Sequence, residues 1–176
     1  MYSRNLLAPT ALFATLLWLG GCVTEPLPEP DTDPACRDAR SPEFVACQFY
    51  GRYITLQPAG VPGETALDIL SPFITESLDG ALFDTHMAQD AWLADHPGET
   101  APLSEGALFT GPALHPERFV ILRRVPISRT HVGVEVGLEQ GNIRWRDTAV
   151  LALTRQGFLL DDIRFEDGST LRHRLP

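Results

Sequence analysis

The sequence predicts an α+β fold, with N-terminal helices packed on an antiparallel sheet of about four strands. Three observations carry that expectation. Apolar residues recur at helical spacing in the first half of the folded region, and from Arg118 onward they alternate as in strands. The strands are joined by tight glycine-containing turns and not by helices. Helices first and a meander afterwards is the α+β order, unlike the βαβ alternation of a parallel sheet.

In chain order, the first element is not part of that domain. Arg4 precedes an apolar run over residues 6–19, which Gly20, Gly21 and Cys22 close. Basic start, apolar core and small residues before the end form a secretion signal over residues 1–21. The run is shorter than the roughly 20 apolar residues that span a bilayer. Leu19-Gly20-Gly21-Cys22 resembles the lipobox of bacterial lipoproteins. The resemblance implies that the Cys22 thiol receives a diacylglycerol, that the bond before it is cut, and that the protein meets the membrane through this lipid anchor. Val23 follows the cysteine where an aspartate would imply retention, so the same resemblance implies the periplasmic face of the outer membrane.

Residues 22–35 read as a tether. Prolines 26, 28, 30 and 34 alternate there with acidic residues, a composition that buries no core. In an extended polyproline conformation this stretch reaches roughly 35 Å. Asp31 and Asp33 within it make a poor metal site, because a solvated linker holds no coordination geometry. Residues 36–176 then form a single domain, long enough for a core of its own.

Removal of the signal leaves 155 residues, with 13 arginines against 23 acidic side chains and a formal charge of −10. That balance excludes a nucleic-acid partner, whose phosphates need a basic surface. It also excludes an electrostatic grip on anionic lipid. With Cys22 used by lipid, Cys36 and Cys47 remain as an even pair in an oxidising compartment. A disulfide is the favoured state; two buried free thiols are the alternative that spacing leaves open.

The domain's first helix starts at Ser41-Pro42-Glu43, with Ser as N-cap and Pro in the first turn. Phe44, Val45, Phe49, Tyr50, Tyr53 and Ile54 continue it at near-helical spacing. Pro58, Gly60, Pro62 and Gly63 break the chain before a short helix over residues 66–70. Ser71-Pro72 reads as a second N-cap, opening a helix that runs through Leu78 and Leu82 towards Trp92, with an interruption possible at Gly80. Residues 96–116, with four prolines and three glycines, read as an irregular excursion. Strands are expected over residues 119–127, 131–138, 145–155 and 158–165, with turns at Gly141-Asn142, Gln156-Gly157 and Asp167-Gly168. In the second strand Val132, Val134, Val136 and Leu138 share one face, and His131 and Glu135 the other.

Phe49-Tyr50-Gly51-Arg52-Tyr53 and the closing strand Gly157-Phe158-Leu159-Leu160-Asp161-Asp162-Ile163-Arg164 resemble motifs of an uncharacterised group of secreted bacterial proteins. That group has the nuclear transport factor 2-like fold. The likeness covers residues 41–165; Phe158 stands where tryptophan is usual, and the 96–116 excursion departs from the pattern. It implies a cone formed by a curved sheet and the helices, with a cavity between them. The fold alone implies no activity.

Polar residues that such a cavity would place inside are Glu135, Asp162 and Arg164, with Tyr50, Tyr53, Trp92 and Trp145 as its wall. Asp162 and Arg164 lie two apart on one strand and so share a face with Phe158 and Leu160. A carboxylate among apolar neighbours has a raised pKa and serves as a base. The alternative for Asp162 is an ion pair with Arg164 or with an arginine of the neighbouring strand. The alternation of the second strand places Glu135 away from the core, which leaves Asp162 as the base candidate. Tyr50 and Tyr53 share a helix face and suit a core, and Arg123 and Arg124 point to opposite faces. The five histidines lack zinc-motif spacing, and no nucleophile or phosphate-binding motif exists, so no metal or cofactor is expected. Two functions follow as expectations. The first is a non-catalytic binding lipoprotein of the cell envelope, holding an envelope protein or a small ligand; an immunity protein against a periplasmic toxin is its sharper form. The second is an isomerase- or dehydratase-type enzyme using a buried carboxylate.

Overall fold

The structure, a computed structural model, describes residues 33–176; the signal, Cys22 and nearly all of the tether lie outside the described residues. The chain enters through a 3-10 turn at Pro34–Cys36, capped by the Asp33 side chain, which accepts the Ala35 N–H at 2.9 Å. Helix α1 (Pro42–Leu56) begins as its sequence dictates, with the Ser41 hydroxyl accepting the Phe44 N–H at 3.1 Å. It ends at Gln57, whose left-handed backbone lets its N–H close on the Tyr53 carbonyl. A Cys36–Cys47 disulfide ties the entry turn to α1, with 5.7 Å between the Cα atoms. This settles the two thiols as bonded.

Helix α2 (Glu64–Leu70) follows the Pro/Gly break. The next helix does not start at Pro72. Ser71–Phe73 is a single 3-10 turn, Ile74 is extended, and α3 (Glu76–Asp95) starts from Thr75. The cause is the neighbouring sheet. Ile74 is 3% exposed and bridges Leu160, and the Thr75 N–H reaches the Leu160 carbonyl at 2.8 Å. Burying an isoleucine against a strand outweighs one further turn of α-helix. Thr75 takes the cap role, accepting the Leu78 N–H at 3.2 Å, and α3 passes Gly80 without interruption.

Strands β1 (Arg118–Pro126), β2 (His131–Gln140), β3 (Ile143–Thr154) and β4 (Gly157–Arg164) form one antiparallel sheet in sequence order. The β2 alternation holds: Val134, Val136 and Leu138 are buried, while Glu135 and His131 look away from the helices. Two bulges interrupt the ladder, at Leu122 in β1 and at Asp161 in β4. After β4 the chain forms α4 (Leu171–Arg174), and Leu171 and Leu175 are buried. The core lies between α1 and the inner face of the sheet. Its largest buried rings are Phe49, Tyr50 and Tyr53 of α1, Phe119 of β1, and Phe109 from the irregular segment. No helix among the described residues is long and apolar enough to cross a membrane.

Candidate functional site

Tyr50 and Tyr53 are fully buried on the inner side of α1, and Trp145 joins them from the inner face of β3 at 8% exposure. Trp92 does not belong to this wall. It lies on the outer part of α3, stacked on His96 at 4.2 Å, beside the C-terminal residues. Only Leu78, Leu82 and Thr85 of its helix are buried, and Trp92 itself stays half-buried. Glu135 lies on the far face, gripped by the Arg123 guanidinium at 2.7 and 2.8 Å with Arg146 at 3.9 Å. The Arg123 hydrogen bonds hold its carboxyl below the usual range.

Asp162 and Arg164 are not placed with Leu160. The bulge at Asp161 adds one residue, so Leu160, Ile163 and Phe165 point inward while Asp162 and Arg164 turn away from the core. Asp162 accepts backbone N–H groups from Ile163 at 2.8 Å and Arg172 at 3.0 Å, a structural role. Among the described residues Asp162 makes no ion pair with Arg164 or a neighbouring-strand arginine; the ion pair here is between Asp161 and Arg172 of α4. Asp161 meets Arg172 at 2.8 Å and the Thr75 hydroxyl at 2.8 Å, with His131 3.7 Å away.

The buried carboxylate of this protein is Asp147. Its β3 register opposite Val136 turns it inward, where it is 1% exposed. Oδ2 accepts the Gly111 N–H at 3.0 Å and the Trp145 indole N–H at 3.2 Å. Among the described residues Oδ1 has no partner, and a Cβ at Gly111 would stand 3.0 Å from it, a tight approach that a side chain there would have to relieve. Burial pushes the Asp147 carboxyl up to about 6, against the pull of the Gly111 amide, the Trp145 indole, the Glu166 amide and the Arg174 charge. Among the described residues the Tyr50 and Tyr53 hydroxyls and His115 Nδ1 are also buried without partners. Burial raises both phenols, and the Asp147 charge adds to it; the Phe109 amide, short of hydrogen-bonding geometry, partly offsets the rise at Tyr53. Arg174 closes this end of the fold by donating to the Thr110 and Gly111 carbonyls at 2.9 Å each, with its guanidinium over the Phe165 ring. The set can hold a proton near neutral pH, but side chains fill the space around it.

On the outer surface the charges are segregated. Residues 53–117 contain ten acidic side chains and no Lys or Arg, whereas residues 118–176 contain ten arginines. The sheet arginines are largely matched locally: Arg118 and Arg144 hold the buried Glu139, Arg124 holds Glu43 of α1, and Arg172 holds Asp161. The helical flank has no such compensation. Among the described residues Glu64, Asp68 and Asp79 make no ion pair, and Asp90 has only His86 at 3.7 Å. Comparison with known proteins finds no matching family model, no similar curated protein and no similar solved structure.

Proposed function

We propose that the protein is a non-catalytic binding lipoprotein of the bacterial cell envelope, and that it engages a basic protein partner. In this reading its α+β domain is of the nuclear transport factor 2-like kind. Cys22 carries the lipid, the tether spans the gap, and the domain stands at the periplasmic face of the outer membrane. The observation that carries the reading is the uncompensated acidic flank of residues 53–117. A one-signed surface steers an oppositely charged partner and repels wrong ones. Immunity against a basic toxin delivered into the periplasm is the sharpest form of that role. The filled interior supports binding over turnover, since Tyr50, Tyr53, Phe49 and Phe109 occupy the space a substrate would need.

Asp147 favours a second reading, an isomerase- or dehydratase-type enzyme, because a carboxyl raised to about 6 has the pKa of a general base. Its seal of Gly111, Trp145 and Arg174 weighs against substrate access. Crosslinking of the tethered protein in native envelope, followed by capture, tests the choice. A stoichiometric basic protein is the expected product. No protein partner, together with a small molecule whose turnover Asp147→Asn abolishes, would replace binding by catalysis.

A further inference from the structure

Among the described residues, helix α3 has a face without a partner. Of its 20 residues only Leu78, Leu82 and Thr85 are buried. Phe83 and Met87, one turn apart, stand 56% and 50% exposed. Large apolar side chains aligned on the outside of a helix mark an interaction surface when they border a groove. Such a groove exists here. It has a volume of about 600 Å3, and Leu67 of α2 with Phe83 and Met87 of α3 forms its apolar part. Four carboxylates surround that part: Glu64 and Asp68 from α2, Asp79 and Asp90 from α3.

We propose that this groove docks a basic amphipathic segment of a protein partner. An apolar anchor seats on Phe83 and Met87, and flanking Lys or Arg side chains pair with the carboxylates at either end. The inference rests on the binding reading and names its site. Asp79 and Asp90 lie roughly 16 Å apart along the axis of α3, about three turns of a docked helix. The charge on the page selects this occupant over others. An anionic lipid surface is repelled by the carboxylate rim. A second copy of this chain is itself acidic, at a net −9, and six of its arginines are already held by Glu43, Glu135, Glu139 and Asp161. A free basic segment loses nothing of that kind, and its cations relieve the repulsion among carboxylates whose one basic neighbour in the groove is His86, 3.7 Å from Asp90.

The test uses the mature chain and two fluorescent peptides, an 18-residue amphipathic helix of Leu and Lys and its Leu and Glu counterpart. The Leu/Lys peptide should bind one-to-one, with NMR amide shifts concentrated in residues 64–71 and 79–90. Phe83→Ala with Met87→Ala should weaken it about tenfold at unchanged charge. Asp79→Asn with Asp90→Asn should weaken it and flatten its salt dependence. All four side chains are at the surface, so both variants retain the fold, as circular dichroism would verify. Unchanged binding by the alanine variant, shifts elsewhere on the domain, or equal affinity for the Leu/Glu peptide would overturn the assignment. A native envelope partner that the alanine variant retains in full overturns the groove and leaves the binding reading standing. Absence of any partner for the wild type overturns the reading itself.

Discussion

Asp147 exchanges water for two hydrogen bonds, and the exchange is incomplete: Oδ1 keeps no partner while burial raises the carboxyl from 3.8 to about 6. The raised value makes the folded state the better proton binder. Below pH ~4 both folded and unfolded chains carry the proton, and Asp147 contributes its full share of stability. Between about 4 and about 6 the unfolded chain releases the proton first, so that share declines and is lost as pH passes the folded value. A rise of this size corresponds to roughly 3 kcal/mol. Asp147→Asn removes the titration and keeps an acceptor for the Gly111 and Trp145 donors. Urea unfolding of both proteins should therefore show the asparagine variant gaining ~2–3 kcal/mol on the wild type between pH 4 and pH 7.5. A constant difference across that range would mean the carboxyl is hydrated. The residue was legible in principle. It falls in phase with Trp145, Ala149 and Leu151, all inward, and a period-two count along that strand places an acid in the core. Asp162 drew attention because the same count, run along β4, cannot see a bulge.

Most element boundaries were readable because local chemistry sets them. Ser41-Pro42 starts α1 through a cap that needs only its own next turn. Alternating valines and flanking glycines placed the four strands, because a meander is built from neighbouring segments. The start of α3 was not readable. Ser71-Pro72 has the better local signal, yet Ile74 bridges β4 across more than eighty residues of sequence and moves the cap to Thr75. Phe109 was hidden for the same reason: its segment has no period, but its ring packs 5.2 Å from both Phe49 and Tyr53. The cap can be tested directly. The Thr75 hydroxyl accepts the Leu78 N–H and donates to Asp161 Oδ1 at 2.8 Å, so Thr75→Ala breaks a cap and a link to β4. A loss of about 1–2 kcal/mol is expected. The Ser71 hydroxyl only donates to the Asp68 carbonyl at an exposed site, so Ser71→Ala should stay within ~0.5 kcal/mol. Chemical denaturation of the two variants side by side gives the order; a larger loss at Ser71 would move the helix start back to Pro72.

At the scale of the whole molecule, the charge and the proposed lipid anchor lie in different parts of the chain. The segregation of acid and base was open to inspection in the sequence, but net charge alone conceals it: a total of −9 says nothing of an arginine-free stretch over residues 53–117. Only the fold shows that Glu64, Asp68, Asp79 and Asp90 of α2 and α3 gather round one groove, while local carboxylates match most arginines of the sheet. An acidic domain of this kind has no electrostatic attraction to anionic lipid, so in the proposed lipoprotein the acyl chains at Cys22 do all of the membrane attachment. That division predicts a pattern in vesicle flotation. The mature lipidated chain should float with neutral and anionic vesicles alike, and raising the salt should not release it. Cys22→Ser should leave an uncleaved precursor in cells. The same domain purified without its lipid should stay at the bottom of the gradient with either vesicle. Salt-sensitive flotation of the lipid-free domain on anionic vesicles would show that a basic patch, and not the thioether-linked lipid, holds the protein to the membrane. The ten arginines of residues 118–176 would then be its source. The pairing of six of them with Glu43, Glu135, Glu139 and Asp161, in a chain of net negative charge, is the reason to expect that they are not.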